Sequence, residues 1–202
     1  MADSSGVANG KQQLVEMRSR IVEAAAPLLE SEGKRASVED IAKAAGLSVP
    51  VAHQFLKKPA DIMLLIMENL QQMFLDGLGQ NMDEGLDAEH KLTVAIRQYY
   101  AVVDSQAPKV VLVYRGSRTL DAAGRKRIMQ LEMEAVDTFR AILDEGVASG
   151  VFKKTDTDLV AYNITVMGHL WALKAWHFKR RQMNLEDFIV SQIENVLAMV
   201  KS

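Results

Sequence analysis

Along this chain apolar residues recur at intervals of three and four positions almost without a break, the period of an α-helical face rather than of a strand. From about Lys11 to Glu32, Leu14, Met17, Ile21, Ala25, Leu28 and Leu29 form one stripe, which Gly33 ends. Pro27 lies inside that stripe and predicts a kink or a broken last turn, because it lacks the N–H that a helix interior needs. After Pro59 the pattern returns in Ile62, Leu65, Ile66, Leu70, Met73 and Phe74, predicting a long helix before Gly77, Gly79 and Gly85 interrupt it. Further helices are predicted over about 88–104, 108–119, 124–149, 157–179 and 185–200, with breaks at Gly150 and Asn184. In Val110–Tyr114 β-branched residues favour a strand, but a single strand has no partner, so this run too is read as helix. The expected fold is all-α.

Within this pattern residues Ser37–Leu56 read SVEDIAKAAGLSVPVAHQFL. Ser37 is an N-cap with Asp40 three residues on, the position of a capping-box acid. Ile41 and Ala45 share a face, and small Ala42 and Ala44 beside them permit close approach of a second helix. Gly46 supplies the positive φ that ends the helix, Leu47 turns inward, and Ser48 caps the next helix. Pro50 falls in that helix's first turn, where backbone N–H groups have no intrahelical partner anyway. Ala52 and Leu56, with help from Phe55, face the core, leaving Val49, Pro50 and His53 outside. Two short helices joined by a glycine turn make either a helix-turn-helix or a plain helical hairpin. The organisation is a three-helix unit over residues 11–58 followed by a larger helical unit over residues 59–202.

The stretch RSRIVEAAAPLLESEGKRASVEDIAKAAGLS resembles the N-terminal signature of the TetR family of bacterial transcriptional regulators. The resemblance covers about residues 18–66, with Ile21, Ala24, Ala25, Gly33, Ser37, Ile41, Ala42, Ala45, Gly46, Leu47, Ser48 and Ile62 at the family's spacing. It implies an N-terminal three-helix helix-turn-helix domain that binds double-stranded operator DNA, and a C-terminal domain that binds a small effector and forms a homodimer. It makes Ser37, Lys43, Lys57 and Lys58 candidates for phosphate contacts, with Ser48 opening the recognition helix. His53 stands where the family usually has a phosphate-contacting tyrosine, and Pro59 where it has a lysine. Val49, Pro50 and Val51 offer apolar contact to thymine methyl groups. These same departures support a competing reading, a helical interaction or sensor protein that keeps the fold and has lost specific DNA binding.

In the C-terminal unit the resemblance places the dimer interface on the last two helices, where Leu170, Trp171, Phe188, Ile193 and Leu197 are the candidates. Candidates to line a pocket for a hydrophobic effector are Met67, Phe74, Tyr99, Tyr100, Tyr114, Arg118, Met167 and Trp171. The segment ITVMGHLWALKAWHFKRRQMNLEDF is similar to the end of family members that respond to acyl-CoA-type thioesters. Arg115, Arg118, Arg125, Lys126, Arg127 and the run Lys179-Arg180-Arg181 offer charge for CoA phosphates, although solvated helix faces and a basic helix end explain the same residues.

Composition narrows the picture further. The 202 residues are 49% hydrophobic and 25% charged, an ordinary globular balance. The net charge of −2 conceals an uneven distribution: residues 1–60 carry 8 basic and 7 acidic side chains, residues 61–107 carry 2 and 8. Such a chain is no general polyanion binder, so a nucleic-acid contact has to come from one placed element. There is no cysteine, hence no thiolate nucleophile and no disulfide framework. The four histidines show no metal-ligand spacing, and no phosphate-binding glycine loop is present, so no catalytic residue, metal or cofactor is expected. His169 and His177 read as polar members of one packed face. No segment reads as membrane span or signal peptide, and a cytoplasmic location is expected.

Overall fold

The computed structural model describes residues 4–32, 36–83 and 85–201. Among the described residues it contains ten α-helices and no strand: α1 Ser4–Glu32, α2 Val38–Ala44, α3 Val49–Phe55, α4 Ile62–Asn81, α5 Ala88–Ser105, α6 Ala107–Gly116, α7 Ala122–Ala148, α8 Thr157–Leu173, α9 Ala175–Arg180 and α10 Leu185–Val200. Residues 110–114 are helical, as the missing partner strand required. Gly33 lies outside the described residues. None of the described helices is long and apolar enough to cross a membrane.

The described chain packs as two compact units. One holds the residues up to Asn69 together with Leu112–Ile128, and the other holds Leu70–Val111 together with the residues from Met129 onward. This division crosses the boundary after residue 58 read from the sequence, and α4, α6 and α7 each contribute to both units.

The first unit is built on α1, α2 and α3. Its fully buried side chains include Ile21, Val22 and Ala25 of α1, Ile41 and Ala42 of α2, and Ala52 of α3, with Leu56 just beyond. Ala44, expected at the helix contact, is exposed, and Leu47 is only half-buried. A 3₁₀ turn, Pro59–Asp61, leads into α4, and the Asp61 carboxylate accepts the backbone N–H groups of Lys57 and Lys58 at 3.0 and 3.1 Å. Helix α1 continues through Pro27 to Glu32, so the broken last turn does not occur.

In the second unit α5 packs on α8 and α10 around an aromatic centre. Tyr99 lies 5.0 Å from Phe74, 5.5 Å from Phe139 and 5.8 Å from His169, ring centre to ring centre. Gly168 makes this approach possible, since a Cβ there would sit 2.6 Å from Cε1 of Tyr100. The buried Tyr100 hydroxyl donates to the Ile164 carbonyl at 3.0 Å. The glycines expected to end α4 do not end it. Gly77 lies within the helix because Gln98 packs where its Cβ would be, 1.8 Å from that side chain's Nε2, and Gly79 continues the turn. The expected helix over 157–179 is two: α8 stops at Leu173, Lys174 leaves helical geometry with φ −119° and ψ 28°, and α9 follows. The helix expected over 108–119 becomes α6 and a terminal 3₁₀ turn, Ser117–Thr119. Gly150, at φ +78°, ends α7, and the Asn184 side chain caps α10 by accepting the Asp187 N–H at 2.8 Å.

The two histidines expected to share a packed face part company: His177 is exposed, whereas His169 is buried with its Nε2 hydrogen-bonded to the Tyr99 hydroxyl at 2.7 Å. Burial disfavours the imidazolium and lowers the His169 pKa from 6.5 to about 4. Above pH 6.5 both folded and unfolded states are neutral and stability is full. As pH falls below 6.5 the unfolded chain takes up a proton that the folded one refuses until about pH 4, so stability is lost on acidification. Chemical denaturation at pH 7 and pH 5 should therefore show a loss on the order of 2 kcal/mol from this site, absent in His169→Gln. Equal losses in both proteins would remove His169 as the cause.

Candidate functional site: a helix-turn-helix surface

The sequence Ser37-Val38-Glu39-Asp40 starts α2 with a reciprocal cap. Ser37 Oγ accepts the Asp40 N–H at 3.0 Å, and the Asp40 carboxylate accepts the Ser37 N–H at 3.1 Å and its hydroxyl at 2.7 Å. The Ser37 hydroxyl beside it holds the Asp40 carboxyl below the usual range. Helix α2 ends at Gly46, whose φ of +63° lets Leu47 turn back and donate its N–H to the Ala42 carbonyl at 2.9 Å. Arg20 of α1 clamps this turn, its guanidinium donating to the Ala45 carbonyl at 2.8 Å and the Gly46 carbonyl at 3.2 Å. Sequence reading missed Arg20, because the partner carbonyls lie 25 and 26 residues away and a carbonyl has no sequence signature.

Helix α3 leaves the turn with Ala52 fully buried and Leu56 sealed behind it, while Val49, Pro50, His53 and Gln54 face solvent. Val51 is half-buried, so of the three apolar candidates it is the one partly turned toward the core. Pro50 sits in the first turn as expected. Ser48 occupies the N-cap position but makes no side-chain capping bond; only its carbonyl is used, accepting the Val51 and Ala52 N–H groups at 3.0 Å. Gln54 was not singled out from sequence, although an amide beside His53 on a recognition helix has the donor and acceptor pair that adenine presents a match for.

The cationic candidates differ. Lys43 and Lys57 are exposed. Lys58 is ion-paired with Asp121 of the same unit and lies 4.0 Å from Asp61, and the Asp121 hydrogen bond raises its pKa. His53 Nδ1 lies 3.2 Å from the Leu56 carbonyl, and its Nε2 lies 3.9 Å from a Glu39 carboxylate oxygen. The surface is thus a short exposed helix flanked by caps and lysines, with one lysine already engaged.

The effector candidates are not one group. Met67, Tyr114 and Arg118 belong to the first unit, half-buried in the first case and exposed in the other two. Phe74, Tyr99 and Tyr100 are core members of the second unit, packed on one another and on Phe139 and Phe188, so they serve packing. Trp171 donates from Nε1 to the Asp104 carboxylate at 2.6 Å and packs at 5.0 Å against Phe178 and Phe188. Met167 lines a surface cleft between α8 and α10.

Two of the dimer candidates are turned into the core of their own chain. Phe188 and Ile193 are 3% and 8% exposed within their own chain, because their stripe of α10 packs on α5 and α8. Leu170, Trp171 and Leu197 are half-buried. Large apolar side chains left in solvent on these helices are instead Leu159 and Tyr162 of α8 and Val190 and Met199 of α10. The spacing of Leu159 and Tyr162 places them together on one helical face, a signal present in the sequence.

Residues 85–200 match the family described as "Tetracyclin repressor-like, C-terminal domain". The chain is 28% identical over 175 residues, 86% of its length and 76% of the relative's, to the HTH-type transcriptional regulator HbdR of Aromatoleum sp. (strain CIB). It is 22% identical over 136 residues, 67% of this chain and 70% of the relative, to the fatty acid metabolism regulator protein of Bacillus subtilis (strain 168). The crystal structure of transcriptional regulator FadR from Bacillus subtilis in complex with stearoyl-CoA superposes with a TM-score of 0.72 at 21% identity, over 88% of this chain and 96% of that one.

The glycine turn gives a paired test. Gly46→Ala should lower unfolding stability by about 1–2 kcal/mol, because alanine resists φ +63° and its Cβ would meet Arg20 Nη2 at 3.1 Å. Gly79→Ala, in an exposed turn of α4 with nothing within 4 Å, should instead be neutral or stabilise by up to about 1 kcal/mol. Denaturant titrations giving both variants the same sign would contradict this reading of the turn.

Proposed function

The chain belongs to the TetR family of transcriptional regulators, and is not an enzyme; from that premise we propose that it is a homodimeric, effector-released repressor that reads a near-palindromic operator with α3. The observation that carries this reading is the direction of α3: Ala52 and Leu56 are sealed in the core while Val49, Pro50, His53 and Gln54 are presented to solvent behind the Gly46 turn. A recognition helix enters the major groove with its N-terminal residues nearest the bases. Val49, Pro50 and the exposed part of Val51 meet thymine methyl groups, and His53, whose Nδ1–H donates to the Leu56 carbonyl, donates to a phosphate from Nε2 as the doubly protonated imidazolium. Lys43, Ser48 and Lys57 surround the helix as phosphate contacts, and Ser37 joins them only when its hydroxyl leaves the Asp40 carboxylate. Lys58 joins them only when its pairing with Asp121 is given up.

The homodimer is formed by the exposed apolar side chains Leu159, Tyr162, Val190 and Met199 with half-buried Leu170, Trp171 and Leu197, burying surface that a lone chain leaves in water. The effector is hydrophobic and of the acyl-CoA thioester class, a reading supported by the relative named for fatty acid metabolism and by the stearoyl-CoA complex of the structural neighbour. It acts on the second unit, and α4, α6 and α7, which contribute to both units, carry the change to the first. The coupling is reciprocal, so operator DNA weakens effector binding by the factor by which effector weakens DNA binding.

Fluorescence anisotropy with DNA flanking the protein's own gene tests the DNA side. His53→Ala should weaken binding without altering dimerisation, and Lys57→Ala should weaken it and reduce the salt slope by about 1. Asp121→Asn should strengthen binding severalfold by releasing Lys58 and removing a negative charge. An Asp121→Asn protein with unchanged affinity would exclude Lys58 from the interface, and absence of binding by the wild type at low salt would support instead an interaction protein that has lost DNA recognition.

A further inference from the structure

The segment that joins α6 to α7 belongs to the first unit, the one that holds α3. Two contacts pin it to the chain around the start of α4. A Cβ on Gly116 would sit 2.5 Å from Met63 Sδ, so the segment approaches the first turn of α4 closely. The Asp121 carboxylate takes Lys58 Nζ with one oxygen, while the other accepts the Gly124 N–H at 2.8 Å. Lys58 stands only three residues beyond the end of α3. Leu120 is buried between these contacts, and its carbonyl accepts from the Arg125 guanidinium. Residues 115–127 carry five basic side chains against the single carboxylate of Asp121, which Lys58 already neutralises. Arg127 is paired with Glu68. Arg115, Arg118 and Lys126 are exposed and make no ion pair or side-chain hydrogen bond with a described residue. A fixed segment beside the end of α3 therefore presents three cations without a counter-charge.

We propose that the segment between α6 and α7 is a second DNA-contacting element beside the helix-turn-helix. Arg118 and Lys126 hold phosphates of the backbone that borders the groove entered by α3, and Arg115 adds to the attraction. Arg118 and Lys126 are the contacts because they stand three residues before and five after Asp121, the residue that touches Lys58. A helix in the major groove has a phosphate backbone along each edge, and basic side chains beside it fix its position without reading sequence. Charge complementarity selects DNA as the occupant, since unpaired cations next to a groove-binding helix release counterions from a polyanion. By sequence the same side chains offer charge to CoA phosphates, but they lie in the first unit with α3, whereas the effector reading concerns the second. The proposal rests on the DNA-binding reading of α3 and adds a site outside the helix-turn-helix.

Salt-dependent fluorescence anisotropy of the full chain, with the duplex flanking its own gene and a scrambled duplex of equal length, tests the proposal. Arg118→Gln/Lys126→Gln should weaken binding to both duplexes by the same factor, at least fivefold, because phosphate contacts carry no sequence information. Its salt slope should fall by about 3 to 4, close to one for each of four contacts in a dimer. The melting temperature should stay that of the wild type, since both side chains are exposed. Lys153→Gln/Lys154→Gln, an equal change of net charge at exposed residues of the second unit, should bind as the wild type does. Arg118→Lys/Lys126→Arg should keep the wild-type slope. If the double glutamine variant fails to fold, Lys126→Gln alone serves, with half the change in slope. A loss of affinity or slope no greater than in the Lys153→Gln/Lys154→Gln control, or a loss confined to one duplex, would overturn the proposal. Should the wild type bind and His53→Ala weaken it while the double variant matches the control, the second element alone falls. No binding by the wild type at low salt would remove the reading of α3 as well.

Discussion

The DNA-facing unit depends on one residue held in left-handed backbone. Gly46 turns the chain at φ +63° so that α3 leaves α2 with Ala52 and Leu56 inward and a polar and apolar strip outward. Two restraints hold the turn: the absence of a Cβ, and the Arg20 guanidinium that ties the Ala45 and Gly46 carbonyls to α1. Because α3 is only seven residues long, its orientation cannot come from its own helical stability, which is marginal at that length. It comes from the Ser37–Asp40 cap before the turn, the Arg20 clamp at it, and the buried Leu56 and Asp61 carboxylate after it. The presented face of α3 is therefore a consequence of the turn, and any reading of DNA by this chain rests on it.

Around that face the charges are placed sparingly. The first 60 residues are nearly neutral, and one of the lysines beside α3 is already neutralised by Asp121. For the proposed operator binding this means weak non-specific attraction to DNA and an affinity that depends on two correctly spaced half-sites bound together. In the second unit the opposite economy holds. A buried Tyr99–His169 hydrogen bond sits among aromatic rings, where desolvation keeps the imidazole neutral and the packing is fixed by Gly168.

Much of this was legible in the sequence wherever a local rule was decisive. The Ser37–Asp40 box, the Gly46 turn, the Pro50 position, the Ala52 and Leu56 pair, and the full extent of α10 over 185–200 all follow from capping and periodicity. The rest was hidden because it depends on what lies opposite. Gly77 reads as a break until Gln98 is seen to occupy its Cβ space, and α8 reads as continuous through Lys174 because no proline or glycine marks its end. Periodicity shows that Phe188 and Ile193 share an apolar stripe, but not that α5 and α8 of the same chain already cover it. The aromatics Phe74, Tyr99 and Tyr100 suit a pocket and a core equally well by composition, and only their mutual ring contacts assign them to the core. The pairing of Lys58 with Asp121, 63 residues apart, has no local signature at all.

Whether two copies of α3 read DNA from one dimer is decided by hydroxyl-radical footprinting of the intact protein on the DNA flanking its own gene. Two protected patches are expected on the same face of the duplex, centred roughly 34 Å apart, one helical turn, and lost together when the turn is disrupted by Gly46→Val. A single patch, or no protection even at low salt, would contradict it.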